Sequence, residues 1–242
     1  MSRILVTGAA SGLGELTART LAGDEHEVVV HARNADRFQE SLLLYEMDGA
    51  IYGDLSDLDD TIALAERAND RGRFDAVIHN AGVMRDDATL QVNVVAPYVL
   101  TALMERPGRI VVVSSSMHTG GDMELDGDRF PRDAISYSTS KLYVTAFALG
   151  LARRWPDVMA HALCPGWVAT RMGGESAPDD ITEGHLTQEW LATAPEYEIE
   201  PRTGGYWHHQ RHARLHPAAA DPEYQDAIIR ALELETGIAL PE

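Results

Sequence analysis

Short apolar runs alternate with longer stretches of helical periodicity along most of the chain. The short runs are rich in β-branched residues and contain few polar interruptions, a pattern typical of strands buried on both faces. Strands that alternate with helices predict an α/β fold, a doubly wound parallel sheet with helices on both faces. The predicted strands are residues 4–6, 28–30, 50–52, 76–78, 110–113 and 158–163.

The last part of the chain has a less regular pattern. Residues 184–194 predict a helix, and residues 204–207 predict a seventh strand at one edge of the sheet. Residues 221–235 carry apolar positions on one side only, which indicates an amphipathic helix. The sheet is therefore expected to contain about seven strands.

The chain is predicted to form one domain, because 242 residues are enough for a single core and no linker or repeat interrupts the pattern. Residues 172–180 are rich in Gly and Pro, as mobile loops are. We therefore expect a single domain over residues 1–242, with a substrate lid over residues 170–200 and a C-terminal extension over residues 210–242.

Charge and hydropathy exclude two classes of partner. The chain carries 20 Lys and Arg against 38 Asp and Glu, a formal net charge of −18, with no long basic run. Nucleic acids and anionic membrane surfaces attract clustered basic residues. No basic-then-apolar leader and no apolar run of membrane-spanning length is found. The sequence therefore predicts no nucleic-acid partner and no membrane partner.

Cys164 is the single cysteine, so an intrachain disulfide is excluded. This usage fits a reducing compartment, and we expect a cytoplasmic protein. The neighbours of Cys164 are largely apolar, which favours a buried structural thiol over a nucleophile.

A glycine-rich turn joins the first predicted strand to the first helix. Gly8, Gly12 and Gly14 allow the backbone to turn tightly and to approach a pyrophosphate, which then lies at the helix N-terminus. A plain strand–helix turn is the alternative, because three glycines alone are a weak signal. The buried strand before the turn and the helix after it favour the dinucleotide interpretation.

Arg33 follows the second predicted strand, where the adenosine ribose of a dinucleotide lies. An acidic residue at this place binds the 2′-hydroxyl of NAD, whereas an Arg suits the 2′-phosphate of NADP. Ala32 and Arg33 therefore predict NADP(H), with NAD(H) as the second candidate. An ordinary surface Arg is the alternative interpretation.

Tyr137 and Lys141 are four residues apart in a predicted helix, so their side chains share one face. A free phenol has a pKa of ~10, too high for proton exchange near neutral pH. A nearby ammonium group favours the phenolate. The pair therefore predicts proton transfer, with Lys141 lowering the pKa of Tyr137.

These motifs, with others in the same order over residues 3–175, resemble the short-chain dehydrogenase/reductase (SDR) family. The resemblance implies a Rossmann-type fold. The matching motifs are Thr7 to Gly14, Gly53-Asp54-Leu55, Asn80-Ala81-Gly82 with His79 in place of the family's first Asn, Asn93, Ser115, Tyr137 with Lys141, and Pro165-Gly166-Trp167-Val168-Ala169-Thr170.

The resemblance implies a catalytic role for four residues. Tyr137 exchanges a proton with the substrate oxygen, Lys141 lowers its pKa and binds the nicotinamide ribose, and Ser115 holds the reacting oxygen. Asn93 connects Lys141 to solvent through a water molecule. The cofactor-binding residues implied are Gly8, Ser11, Gly12, Leu13, Gly14, Arg33, Asp54, Leu55, Asn80, Ala81, Gly82, Tyr137, Lys141, Pro165, Gly166, Val168 and Thr170.

The assignment of the catalytic serine rests on alignment within three adjacent serines. Because a strand alternates its faces, Ser115 points opposite to both Ser114 and Ser116. The alignment of the preceding strand with the family favours Ser115, and Ser114 is the alternative.

Two departures from the family pattern bear on the substrate site. Only ten residues separate Gly82 from Asn93, which is short for the family and predicts an open cleft that accepts bulky ketones. The long spacing from Ser115 to Tyr137 and the sequence Ser116-Met117-His118 resemble the retinol-dehydrogenase-like branch and its bacterial members. Trp167, Met172, Trp190 and Trp207 are candidates for an apolar pocket, with core packing as the alternative.

A histidine-rich stretch invites a metal interpretation, since helical spacing would place two of its members on one face. Its members are His208, His209, His212 and His216. The preceding residues predict a strand, and no Cys or carboxylate completes a ligand set. We expect no metal site.

The sequence as a whole predicts an NADP(H)-dependent enzyme that interconverts a carbonyl and an alcohol by hydride transfer, with moderately apolar aldehydes or ketones as substrates. The alternatives are an NAD-preferring alcohol dehydrogenase and a non-catalytic NADP-binding sensor. Family analogy suggests a homodimer or homotetramer through the helices that carry Asn93 and Tyr137.

Overall fold

A computed structural model describes residues 1–39, 47–84 and 87–242, and shows one eight-stranded sheet flanked by helices. The strand order is β3-β2-β1-β4-β5-β6-β7-β8, and every neighbouring pair is parallel except β7 and β8. The strands are β1 (Arg3–Val6), β2 (Glu27–Ala32), β3 (Gly49–Tyr52), β4 (Ala76–His79), β5 (Arg109–Val113), β6 (Met159–Cys164), β7 (Tyr206–His208) and β8 (Arg211–His212).

The helices form a layer on each face of the sheet. They are α1 (Gly12–Gly23), α2 (Ala35–Gln39), α3 (Leu58–Asn69), α4 (Ala96–Leu103), α5 (Tyr137–Arg154), α6 (Ile181–Thr193), α7 (Pro217–Ala220) and α8 (Pro222–Thr236). A π-helical turn, Gln91–Val95, leads into α4, and a 3-10 turn, Ser116–Gly120, follows β5. None of the described helices is long and apolar enough to cross a membrane.

Side chains of β1 alternate between the two faces of the sheet and pack against the helix layer on each face. Ile4 and Val6 face one core together with residues of α1 and α6. Leu5 faces the opposite core together with residues of α3 and α4. All three side chains are almost fully buried, as expected for a parallel strand covered on both faces. The predicted doubly wound α/β fold is confirmed.

The sheet edge differs from the prediction. The strand predicted at residues 204–207 is Tyr206–His208, which pairs with β6 and is not the edge, because β8 adds an antiparallel eighth strand beyond it. The connection bends through His209 and Gln210, whose φ values are +48° and +60°. Turns of this conformation usually contain glycine, and non-glycine residues adopt it infrequently. Because this turn contains His and Gln instead, nothing in the sequence marks it.

The C-terminal segment covers α5. Every residue of α5 from 139 to 152 is buried, and α8 packs against this helix. The Tyr98 hydroxyl donates to the Ile238 carbonyl at 2.6 Å, and the Trp155 indole N–H donates to the Pro241 carbonyl at 2.9 Å. The extension predicted at residues 210–242 is therefore packed onto the domain. An oligomer contact through the Tyr137 helix, expected by analogy, would have to displace α8.

The segment predicted as a substrate lid, residues 170–200, has two parts in the structure. Residues 181–193 are α6, whose Leu191 and Ala192 belong to the core beside α1. Residues 170–180 contain neither a helix nor an extended strand and are mostly exposed or half-buried. Of the two parts of the predicted lid, only residues 170–180 lie outside the hydrophobic core.

Candidate active site

The glycine turn lies at the carboxyl end of β1, where two glycines are required by close contacts. Gly8 has a φ of +66°, and a Cβ there would lie 2.7 Å from the Ala81 Cα. A Cβ on Gly14 would lie 2.7 Å from the Gly8 carbonyl oxygen. Ser11, the N-cap of α1, is exposed and makes no side-chain capping bond. The N–H groups at the start of α1 are therefore open to an anion, which fits a pyrophosphate.

Asn80 braces this turn from the end of β4. Its amide nitrogen donates to the Thr7 carbonyl at 2.9 Å and to the Gly8 carbonyl at 3.3 Å. The Thr7 hydroxyl accepts the backbone N–H groups of Asn80 and Ala81 at 3.0 and 3.1 Å. The side chains of Asn80 and Thr7 thus fix the carboxyl ends of two neighbouring strands, and Thr7 is a contributor that the sequence analysis did not single out.

His31, at the end of β2, is a second residue that the sequence analysis missed. Its Nδ1 accepts the Gly8 N–H at 3.1 Å, and its Nε2 bonds the Gly53 carbonyl at 2.9 Å. Burial lowers the pKa of His31 to about 4, so the ring is neutral at physiological pH. The glycine turn and the loop after β3 are therefore joined through one imidazole. In the sequence, His31 is a single polar residue within an apolar strand, and this pattern could have marked it as a candidate.

Arg33 lies on the surface beside the carboxyl ends of β2 and β3. Its Nε is 3.6 Å from Asp54 Oδ2, and 58% of its side chain is exposed. Burial opposes ionisation of Asp54, but hydrogen bonds from Ser56 and the charge of Arg33 hold its pKa below the ordinary value. A cavity of about 530 Å³ adjoins Arg33. The Leu55 side chain is buried in the core, so only its backbone could face a cofactor.

The structure separates the two candidate serines after β5. The Ser114 hydroxyl is buried and lies 2.6 Å from the Thr145 hydroxyl. Ser115 is half-buried, and its side chain acts to lower the pKa of the neighbouring Tyr137 phenol. The Ser115 oxygen also accepts the Met117 N–H at 3.2 Å. The structure thus places Ser115, and not Ser114, beside the candidate proton donor.

Tyr137 is the first residue of α5, and its protonation differs from the expectation. Burial raises the pKa of Tyr137 to about 12, and the hydrogen bond with Ser115 offsets part of this rise. Lys141 Nζ lies 5.5 Å from the centroid of the Tyr137 ring. The predicted lowering of this pKa by Lys141 is therefore wrong for this structure, because desolvation of the phenolate outweighs the other influences.

Lys141 is almost fully buried and is the only lysine of the chain. Its Nζ donates to the Val113 carbonyl at 2.7 Å. Burial lowers the pKa of Lys141 to about 8. The ammonium group is consequently charged below about pH 8, in a place where its charge is poorly solvated.

Asn93 lies in the π-helical turn before α4, and its amide closes the short segment after Gly82. Its Oδ1 accepts the Val83 N–H at 2.8 Å, and its Nδ2 donates to the Val83 carbonyl at 2.8 Å and to Ser140 Oγ at 3.0 Å. A Cβ on Gly82 would lie 3.3 Å from Asn93 Oδ1 and 3.5 Å from Lys141 Nζ. Asn93 and Lys141 thus border the same glycine. Two positions of the short segment, 85 and 86, lie outside the described residues.

The Pro-Gly loop after β6 meets the glycine turn, since a Cβ on Gly12 would lie 3.5 Å from the Thr170 methyl group. Val168 is buried. The loop is fastened by Asp179, whose Oδ2 accepts the Trp167 N–H at 2.6 Å and whose own N–H donates to the Trp167 carbonyl at 3.0 Å. The structure therefore brings the loop next to the predicted cofactor site.

Comparison with known proteins identifies the family. The family model described as short chain dehydrogenase matches residues 2–181. The chain belongs to the short-chain dehydrogenase family. A relative from Gibberella zeae, "Short-chain dehydrogenase chry4", is 35% identical over 259 residues, which cover 100% of this chain and 99% of the relative.

This short-chain dehydrogenase is also similar to one further relative and to one solved structure. "Putative daunorubicin C-13 ketoreductase DnrU" from a Streptomyces species is 32% identical and covers 90% of this chain, with 86% of its own length matched. A short chain dehydrogenase from Burkholderia cenocepacia, solved in complex with NADP, has a TM-score of 0.69 at 24% identity, over 86% of this chain and 95% of its own. The similarity to the Burkholderia structure shows that the two chains share a fold.

The histidine-rich stretch of this short-chain dehydrogenase serves separate contacts. His208 Nδ1 bonds the Cys164 carbonyl at 3.1 Å, and His212 Nε2 bonds the Glu200 carbonyl at 2.7 Å. His216 caps α7 by accepting the Ala218 N–H. Over the described ranges, no three His, Cys, Asp or Glu side chains are grouped to hold a metal ion.

The tryptophan and methionine candidates divide between the core and the cleft of this short-chain dehydrogenase. Trp207 is buried and packs edge-on against Trp190, with ring centroids 4.9 Å apart. Trp167 and Met172 are exposed on the loop beside the site, as is Met117 on the turn after Ser115. Core packing thus explains the first pair, and only the second group is available to a substrate.

Proposed function

We propose that this protein reduces aldehydes or ketones to alcohols with NADPH, through a Ser115, Tyr137 and Lys141 proton relay. The observation that carries the proposal is the pairing of Tyr137 and Lys141 at the start of α5, where Lys141 Nζ lies 5.5 Å from the centroid of the Tyr137 ring. When bound, NADPH supplies the hydride. The protein supplies position and the proton.

The residues around the glycine turn support the cofactor assignment. The uncapped N-terminus of α1 suits the pyrophosphate, and the exposed guanidinium of Arg33 suits a 2′-phosphate. Asp54 holds Arg33 at the cavity edge where this phosphate would lie. The NADP complex of the Burkholderia relative supports the same assignment. The other cofactor-binding residues of the sequence analysis are part of this proposal.

Protonation favours reduction over oxidation. A phenol with a pKa of about 12 is protonated at neutral pH, so Tyr137 can donate a proton to a carbonyl oxygen. Oxidation of an alcohol requires the phenolate, which is scarce at that pH. Ser115 would hold the carbonyl oxygen, and Lys141 with Asn93 would return a proton to Tyr137 from solvent.

The rim of the site supports apolar carbonyl substrates. Met117, Trp167 and Met172 are 49%, 56% and 41% exposed on the loops that follow β5 and β6. Exposed methionines adapt their shape to apolar ligands. The short segment after Gly82 is proposed to leave the cleft open to bulky ketones, with residues 170–180 as the lid. The Streptomyces relative, named as a ketoreductase, supports a ketone substrate.

The test is NADPH consumption with a panel of ketones of graded size, comparing the parent with Tyr137→Phe. The Phe variant should bind NADPH with unchanged affinity and lose at least ~100-fold in kcat, as expected for a lost general acid. Tyr143→Phe is the matched control, because Tyr143 lies on the same helix and its hydroxyl bonds the Glu124 carbonyl, away from the site.

Three outcomes would redirect the proposal. Near-parental turnover in Tyr137→Phe would mean that Tyr137 is misassigned. Faster turnover with NADH than with NADPH would favour the NAD-preferring alcohol dehydrogenase. Tight NADPH binding with no turnover on any carbonyl would favour the sensor. A cytoplasmic location and a homodimer or homotetramer stay predictions.

A further inference from the structure

His118 is a fully buried histidine directly behind the candidate catalytic serine. It lies in the 3-10 turn that begins after Ser115, and its Nδ1 is 2.7 Å from the Ser115 carbonyl oxygen. The backbone N–H of His118 donates to the same carbonyl at 3.1 Å. The other ring nitrogen, Nε2, accepts the backbone N–H of His216 at 3.0 Å. One imidazole thus joins Ser115 to His216, which lies 98 positions after His118 in the chain.

The two hydrogen bonds fix the tautomer of this ring. A backbone N–H can only donate, so Nε2 of His118 must be unprotonated. A carbonyl can only accept, so Nδ1 must carry the proton. Burial also lowers the pKa of His118, which agrees with a neutral ring. His118 is therefore a fixed donor to Ser115 rather than a titrating group.

The surroundings of His118 leave the ring little freedom. Its ring packs on Tyr206, with centroids 4.6 Å apart. Beside it, Cys164 Sγ accepts the N–H groups of Ser116 at 3.1 Å and of Gly166 at 3.4 Å. The peptide group between Ser115 and Ser116 is thus held at its carbonyl by an imidazole and at its N–H by a thiol.

Resting on the proposed function, we infer that His118 is a positioning residue for Ser115, which fixes the backbone from which the Ser115 hydroxyl reaches the reacting oxygen. The Ser115 hydroxyl already accepts the Met117 N–H from the same turn, so a shift of the turn moves the hydroxyl with it. A misplacement of 1 Å can lower a rate by ~100-fold. His216 connects the same imidazole to the C-terminal segment.

The experiment compares two amide substitutions that each keep one half of the imidazole. The amide nitrogen introduced by His118→Asn reproduces the position of Nδ1 and can still donate to the Ser115 carbonyl. The longer side chain introduced by His118→Gln reproduces the position of Nε2, so it can still accept the His216 N–H but no longer reaches the Ser115 carbonyl. With NADPH and a ketone found active for the parent, His118→Gln should lower kcat about tenfold with KM for NADPH unchanged, and His118→Asn should recover most of kcat.

His161→Gln is the matched control. His161 is also buried and neutral, but it bonds the Arg202 carbonyl rather than the backbone of Ser115. This variant should lower the melting temperature without changing kcat. Equal kcat for the parent and His118→Gln, or equal losses in the Gln and Asn variants, would overturn the inference.

A second readout does not depend on activity. Nitrogen NMR of histidine-labelled protein, assigned by the signal lost in His118→Gln, should show a neutral Nδ1–H tautomer at neutral pH, with protonation only below the ordinary pKa of histidine. An Nε2–H tautomer, or protonation with an ordinary pKa near ~6.5, would overturn the contact itself. If the parent reduced no carbonyl compound, the proposed function would fail while this spectrum still decided the contact.

Discussion

The burial of Lys141 makes a quantitative prediction about stability. The ammonium group is almost fully enclosed, and burial lowers its pKa from 10.5 to about 8. The unfolded chain keeps the ordinary value and therefore binds more protons than the folded protein between about pH 8 and 10.5. Stability contributed by this group must rise with pH across that window, and the penalty is fully present below pH 8.

The size of the effect follows from the shift. At 1.36 kcal/mol per pKa unit, this lowering of the Lys141 pKa corresponds to about 3 kcal/mol. Between pH 7 and pH 10, where the unfolded lysine is not yet fully deprotonated, about 2–3 kcal/mol of this penalty is recovered. Lys141→Met removes the charge and keeps an unbranched side chain. The variant also loses the hydrogen bond to Val113, but that loss does not depend on pH and cancels in the comparison.

Urea unfolding of the parent and of Lys141→Met at several pH values measures the effect. The difference in free energy of unfolding, parent minus variant, should become more favourable to the parent by about 2–3 kcal/mol from pH 7 to pH 10. Because the chain contains one lysine, protein labelled in lysine alone gives a single side-chain NMR signal, whose titration reads the pKa directly.

Two results would refute this reasoning. A difference in unfolding free energy that stays flat with pH would mean that the folded and unfolded pKa values are the same. A lysine signal with a midpoint near 10.5 in the folded protein would mean that Nζ is solvated. Either would also remove the argument that Lys141 loses its charge above about pH 8.

Two further predictions concern the cofactor and the C-terminal cover. Arg33→Ala should weaken NADPH binding by about 1.5–3 kcal/mol, the range for a charged hydrogen bond, and leave NADH binding unchanged; equal affinity of the parent for both cofactors in a fluorescence titration would contradict it. Ile229→Ala should lower the free energy of unfolding by about 2–4 kcal/mol, because Ile229 is fully buried between α8 and α5. That loss should be the same over a wide range of protein concentrations, and a concentration-dependent midpoint would show that another chain shares the interface.

The fold was accessible from sequence because it rests on local patterns. Continuous β-branched runs and intervening helices define the doubly wound sheet, and the glycine turn marks its first crossover. The antiparallel strand β8 could not be predicted in the same way, since the turn before it uses His209 and Gln210 in a conformation that neither residue favours.

The site was accessible only in part. Helical spacing brings Tyr137 and Lys141 together, but the sign of a pKa shift depends on burial by residues from the whole chain. His31 and His118 act through partners far away in sequence, Gly53 and His216, which no local motif reveals. Their positions beside strand ends were visible, but their contacts were not.

The packing of α8 on α5 has a consequence for synthesis. During translation, α4 and α5 are complete long before their apolar cover has been made. The side chains left without cover include Tyr98, Phe147 and Leu151, and those that later cover this cluster include Ile228, Ile229 and Leu232. A nascent chain exposes such surface to neighbouring chains and to chaperones until the last helix docks. Docking of α8, rather than completion of the sheet, is therefore the step at which this apolar cluster becomes covered.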